Sequence, residues 1–345
     1  MGGGVAVLLA AGALGALLIR VAADRTVPPA AATPTPTTTA PPPAAPPAAG
    51  GCPAPTATAA DAMTLQTALD TAGPGSSIRL ADGVYPGRFV VDVSGTAAAP
   101  IHVCGGPGAI LDGAGPDAGS VLHLDGASDV RLVGFTVRNG RKGILVDRGR
   151  RVTLAGLTVE RIGDEAIHLR AFSSDNLVER NLIRGTGLRR PQFGEGVYVG
   201  SAAANWCAVS SCAPDASDRN VVRGNRILGT TAEAVDIKEG TTGGQLVGNV
   251  FDGSRLVGAY ADSWVDVKGN GWTIRGNRGR ASRGDGFQTH AVVPGWGRGN
   301  VFAGNAAAVS GPGWGYRFSP ALDNRLSCDN TATGAARGLA NVPCR

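Results

Sequence analysis

Eight short fragments recur along the chain and limit what it can fold into. They are SVLHLD from Ser120, KGILVD from Lys142, EAIHLR from Glu165, EGVYVG from Glu195, EAVDIK from Glu233, SWVDVK from Ser263, DGFQTH from Asp285 and WGYRFS from Trp314. Each opens on a polar or bulky residue, usually continues with a small one, and then alternates apolar with polar. Successive starts lie 22, 23, 30, 38, 30, 22 and 29 residues apart. A minimum repeat near 22 with a period of two inside it describes strands on a coiled path, not helices. An asparagine series falls between the fragments: Asn181, Asn225, Asn249, Asn277, Asn305 and Asn330. Asn181, Asn249 and Asn330 each lie 16 residues after the start of the fragment before them. Asparagine tolerates left-handed backbone and can bond to an adjacent rung, which suits a stacked turn. The expected fold class is all-β, a parallel β-helix in which each coil buries its apolar faces on its neighbours. The 53 glycines, about double the ordinary share, fit so many tight turns.

The organisation follows from where the repeat begins and ends. The stretch MTLQTALDTAGPG from Met63 places Leu65, Ala68, Leu69 and Ala72 on one helical face and breaks at Gly73-Pro74-Gly75. It is expected to be an N-terminal capping helix over the open end of the solenoid, where strand edges would otherwise be bare. Val5 to Ile19 is an unbroken apolar run, short for a membrane span and of the length of a signal-peptide core. Residues 1–25 are therefore expected to be a signal peptide or membrane anchor. Residues 26–60, rich in Pro, Thr and Ala, form a linker that cannot build a core. Residues 61–345 make up the β-helix domain. Its six cysteines allow 15 pairings. Proximity suggests Cys207–Cys212 and Cys328–Cys344, leaving Cys52–Cys104. No Cys-x-x-Cys or His-x-x-x-His spacing supports zinc. This cysteine usage agrees with a secreted or cell-surface protein.

Aligned by their alternation, the fragments turn their third and fifth residues inward, such as Val235 and Ile237 or Val265 and Val267. The fourth and sixth residues point out. One outward column then reads His123, Leu145, His168, Tyr198, Asp236, Asp266, Gln288 and Arg317. The next reads Asp125, Asp147, Arg170, Gly200, Lys238, Lys268, His290 and Ser319. The first position adds Lys142, Glu165, Glu195, Glu233 and Asp285 at the edge. Surface sheet faces usually collect Thr, Ser and Asn as well, whereas this one is almost wholly ionisable. The insertions at 184–194 and 200–219 flank it and could wall a cleft. The alternative is that the charges only solubilise an exposed sheet.

The run LQTALDTAGPGSSIRLADGVY, the Asn-bearing turns and the coil pattern resemble right-handed parallel β-helix proteins of the pectate-lyase-like superfamily. That superfamily contains lyases, polygalacturonase-type hydrolases, epimerases and non-enzymatic adhesins, so fold alone does not fix activity. Locally, EAVDIKEGTTGGQLVGNVF is similar to the β-helix lyases that include chondroitinase B and certain alginate lyases. In those, paired acids hold calcium and a lysine base and an Asn-x-Phe turn follow. The resemblance implies calcium on Glu195, Glu233, Asp236 and Glu239, with Lys238 as base and Lys268 or His290 as its partner. Arg317 completes the catalytic candidates. His168, Arg170, Tyr198, Trp264, Asp266 and Gln288 are the candidate substrate contacts.

The implied function is extracellular cleavage of a uronate-containing glycan by β-elimination. Lys238 works as a base only if its pKa is lowered. Lys268 and His290 push it down, Asp236 and Asp266 push it up, and the sequence does not decide between them. The competing readings are a polygalacturonase-type hydrolase using Asp236 and Asp266, and a non-catalytic glycan-binding module. The Asp-Asp and Arg-Ile-Lys signatures of the hydrolase are missing. The net charge of +5 comes without any Lys/Arg run, so nucleic acid is not an expected partner. The expected partner is an acidic polysaccharide, bound by a monomer that meets a membrane only through an N-terminal anchor.

Overall fold

The structure is a computed structural model that describes residues 51–345. The proposed signal segment and most of the linker lie outside the described residues. Three parallel sheets run the length of the domain, with eleven, ten and ten strands. Each coil gives one short strand to each sheet. Residues about one coil apart are therefore neighbours in space, about 4.8 Å apart along the stack.

The eleven-stranded sheet begins earlier than the repeat pattern suggested. Ala57–Ala59 pairs in parallel with Ser77–Leu80, and Cys52 is joined to Cys104. The solenoid thus takes in the last residues assigned to the linker. The helix Ala62–Asp70 follows, with the Asp61 carboxylate accepting from the Thr64 amide at its start. Leu65 and Leu69 are buried in the core, and Ala68 and Ala72 pack beside it. Cys207–Cys212 and Cys328–Cys344 are the other two disulfides, as proximity suggested. No helix among the described residues is long and apolar enough to cross a membrane.

The interior of the solenoid is a set of stacked apolar columns. One runs Val178, Val222, Leu246, Ile274, Phe302. Rings fill the C-terminal coils, where Phe287 stacks on Tyr316 with centroids 5.2 Å apart. The asparagine series forms a continuous buried ladder. Each side-chain oxygen, from Asn225 to Asn330, accepts from both the side-chain amide and the backbone amide of the asparagine one coil earlier. Each side-chain amide also donates to a backbone carbonyl, Val222 in the case of Asn249. The left-handed residue in most of these turns is the one before the asparagine: Arg180, Gly224, Gly248, Gly276 and Gly304 all have φ between +52° and +65°. Glycine supplies the turn and asparagine supplies the rung bond, so the sequence expectation had merged two roles. A shorter buried ladder, Asn176 to Asn220, was not read from the sequence.

Candidate active site

The ten-stranded sheet that carries the repeated fragments has the register expected from them. Leu145 pairs with His168, His168 with Tyr198, and Tyr198 with Asp236. Asp236 pairs with Asp266, Asp266 with Gln288, and Gln288 with Arg317. These residues alternate with fully buried Val235, Ile237, Val265 and Val267. The period of two therefore brings Tyr198, Asp236, Lys238, Asp266, Lys268 and His290 onto one face.

Two insertions wall this face. Asp215 accepts from the Ala171 and Phe172 amides at 3.0 and 2.8 Å and from the Ser201 hydroxyl at 2.8 Å. This ties the 200–219 segment to the end of a sheet strand. The cleft it borders has a volume of about 310 Å³. Lys142, His168, Arg170 and Tyr198 line it from the sheet, and Phe193 and Asn205 from the insertions.

Lys238 and Lys268 sit at the centre. The Lys238 ammonium lies 2.6 Å from one Asp236 oxygen, and Lys268 lies 2.8 Å from the other. Lys268 also reaches Asp266 at 2.6 Å, and Asp266 accepts from His290 Nδ1 at 2.8 Å. Burial alone would lower the pKa of either lysine. Asp236, followed by other nearby acids, outweighs it and raises both. The competition left open by the sequence goes to the acids: in the free protein Lys238 keeps its proton. Burial would raise Asp266, but Lys268 and His290 hold it well below the usual carboxylate range. The bond to Asp266 raises His290.

Tyr198 lies between this centre and the cleft. Lys238 Nζ stands 5.1 Å from its ring centroid, and the His168 ring meets it edge-on at 4.4 Å. Burial, then the Asp236 charge, pushes the phenol well above its usual range. Burial lowers the His168 pKa. Its Nε2 lies 2.9 Å from the Gly200 carbonyl, which links the ring to the wall, while its buried Nδ1 has no hydrogen-bond partner and stands 3.5 Å from Glu165. Arg170 makes a two-pronged pair with Asp147 at 2.7 and 3.2 Å.

Three acids crowd beside the lysines. Carboxylate oxygens of Glu195, Glu233 and Asp236 all lie within 4.8 Å of one another. Glu195 Oε2 is buried with no hydrogen-bond partner. Burial, then neighbouring acids, pushes the Glu195 carboxyl well above its usual range and Glu233 up to about 8. Calcium needs six to eight oxygens. Glu195 and Glu233 could give at most four of these, and both Asp236 oxygens are already held by ammonium groups.

Several sequence expectations change here. Trp264 is not a sugar platform: it is fully buried, and its indole donates to the Arg280 carbonyl at 2.9 Å. It occupies the second position of its fragment, which points inward. Gly279 and Gly286 leave the room, since a Cβ at either would fall within 3 Å of the indole. Glu239 lies outside the acidic trio and accepts from the Ala203 amide at 2.7 Å, fastening the insertion. Gln288 is buried and donates to Asp285 at 2.7 Å, so it supports the sheet rather than a ligand. Asp266 is likewise buried and spent on Lys268 and His290. Arg317 stands two rungs beyond Asp266, 3.4 Å from Asp285. Lys142, which bonds to Glu165, and Phe193 were not among the site candidates. The polar first position of each fragment was the available signal for Lys142. Phe193 sits in an insertion with no repeat to place it.

The fold defines a class, the parallel β-helix, and one of its faces carries the charged groove. A family model described as the right handed beta helix region matches residues 118–279. An alginate lyase from Paenibacillus sp. str. FPU-7 is 37% identical, with a TM-score of 0.75, over 83% of this chain and 97% of its own. The pectate lyase Pel9A has a TM-score of 0.52 at 14% identity, over 80% of this chain and 72% of its own. The catalytic unit of a GH87 alpha-1,3-glucanase from Streptomyces thermodiastaticus strain HF3-3 has a TM-score of 0.50 at 12% identity, over 85% of this chain and 66% of its own. The last two share the fold alone. No curated protein matches the chain. The chain belongs to the pectate-lyase-like right-handed β-helix superfamily, in one family with the Paenibacillus alginate lyase.

Proposed function

We propose that this protein is an extracellular polysaccharide lyase that cleaves a uronate glycan of the alginate kind by β-elimination. The observation that carries the reading is the meeting of Tyr198, Lys238 and Lys268 on one groove of a chain 37% identical to an alginate lyase. The disulfides suit an extracellular site of action.

β-Elimination removes the proton on the carbon beside the carboxylate. The electron pair becomes a carbon–carbon double bond, and the bond to the glycosidic oxygen breaks. The carboxylate must first be neutralised so that this proton becomes acidic. Lys238 and Lys268, which keep their charge, are the cations for that role, with His290 behind them and Arg317 further along. Lys238 thus moves from unaided base to cation and proton partner. Tyr198 faces Lys238 across the same space, and protons leaving carbon and reaching oxygen pass through this pair. His168 and Arg170 shape the cleft. Calcium, if bound, would lie on Glu195 and Glu233 and would supply further positive charge beside the substrate carboxylate.

The test is a substrate panel of alginate, pectate, chondroitin and glucuronan. A lyase yields an unsaturated sugar with new ultraviolet absorbance. Reducing ends without that absorbance indicate a hydrolase, and a mobility shift without either product indicates a binding module. Either of these outcomes sinks the proposal.

A further inference from the structure

We propose that Arg88 and Arg141 form a remote carboxylate subsite, which grips a uronate of the same glycan chain far from the cleaved bond. The inference rests on the lyase reading and extends it along the groove.

Most cations on this face already have an acid beside them. Lys142, Arg170, Lys238, Lys268, His290 and Arg317 each contact a carboxylate. Each therefore already has an anionic partner. Arg88 and Arg141 are different. Both are exposed, and neither guanidinium has an acid or hydrogen-bond partner among the described residues. They meet at one cleft of about 560 Å³ with Ser120, His123, Phe89 and Val90. The Arg88 side chain lies against Gly119, where φ is +103° and a Cβ would fall 3.0 Å from its Nη1. Two unpaired guanidiniums over a partly apolar floor form a receptor for a planar anion. Arginine donates in a fork that matches a carboxylate, and a sugar ring can rest on the apolar surface.

Position identifies the anion. The cleft is on the same sheet as the proposed catalytic centre. From His123, successive pairs lead through Leu145 and His168 to Tyr198, three rungs away. Three rungs span roughly 14 Å. A pyranose unit of an extended glycan advances by about one rung, so a chain lying along the groove brings a later carboxylate to this end. Between the two sites His123 bonds to Asp147, which pairs with Arg170, so the intervening charges are already satisfied. The ligand is therefore a long oligouronate. The subsite selects for chain length and for charge at a distance from the scissile bond.

The experiment measures binding of alginate oligomers by calorimetry, using a short oligomer of about two sugars and a long one of about seven, lengths set by the rung count. All proteins carry Tyr198→Phe to stop turnover. Adding Arg88→Gln with Arg141→Gln is expected to weaken the long oligomer about tenfold or more and to leave the short one within about twofold, since a charge-assisted pair is lost only for the chain that reaches it. Equal affinity of parent and variant for the long oligomer overturns the inference, as does equal weakening of both lengths. Arg226→Gln with Arg278→Gln removes the same charge from exposed positions on another sheet. A matching loss there would show general attraction and would also overturn it. A parent that binds neither oligomer removes the lyase reading itself, which separates that failure from the others.

Discussion

Two stacked columns run along this solenoid at the same spacing, and they handle buried polarity in opposite ways. The asparagine ladder is neutral and saturated. Each of its inner members accepts two hydrogen bonds and donates to the next rung and to a carbonyl. The charged column from Glu195 to His290 is neither neutral nor saturated. It leaves Glu195 Oε2 without a partner, crowds three carboxylates, and shares the two Asp236 oxygens between two ammoniums. A buried polar group costs stability unless it is paired. The first column is thus what a stacked coil needs to hold its turns. The second carries strain that turns alone do not require, and such strain gathers where chemistry is done.

Mutations should separate the two columns cleanly. The largest effect is expected at the charged one: Tyr198→Phe or Lys238→Ala should each lower the lyase rate by about a thousandfold, within the range for lost proton-transfer groups. The midpoint of denaturant unfolding should barely move for Tyr198→Phe. A rate within a few-fold of the parent for either variant would remove that residue from the proposed pair.

Next comes the ladder. Asn277→Ala strips bonds from Asn249, Asn305 and the Leu246 carbonyl. It should cost about 3 kcal/mol of unfolding free energy, because buried partners are left unsatisfied. A loss below about 1 kcal/mol would mean that the column is not what holds the coils.

The pH dependence should come next in size. Glu233 binds its proton more tightly when folded, at about 8 against the ordinary 4.5. The folded state then holds more protons than the unfolded chain between those values, so stability falls as pH rises through that window. Glu233→Gln should flatten the fall. If calcium binds Glu195 and Glu233, adding it should flatten the fall for the parent too, and a chelator should restore it. An unchanged slope in Glu233→Gln would show that the crowding is relieved elsewhere.

The smallest effect belongs to the outer ion pairs. Arg184 bonds to Glu160 at 2.6 Å on a solvent-facing strand, and Arg184→Ala should cost about 0.5 kcal/mol or less. A larger loss in urea unfolding would mean that surface pairs, and not only the ladder, clamp the coils.

Much of this was legible in the chain itself. Alternation with period two and the recurring asparagines set a parallel β-helix, and they also gave the register that stacks Tyr198, Asp236 and Asp266. A strand residue has only two sides to face, so composition at alternate positions is enough to assign most of them. Trp264 escaped that logic because it precedes the regular alternation, and glycines distant in sequence, Gly253, Gly279 and Gly286, make room for it inside. Glu239 escaped because it sits in the turn after its strand, where direction depends on the insertion it fastens.

Sequence alone, then, determined the coil, its rungs and the face on which charge collects, because strand periodicity and turn chemistry act over a few residues. Only the tertiary structure decided that Asp236 outweighs the burial of Lys238 and that Arg88 and Arg141 have no acid partner among the described residues. Those outcomes depend on distances of a few ångströms between residues tens of positions apart, and electrostatic balance follows that spacing rather than order along the chain.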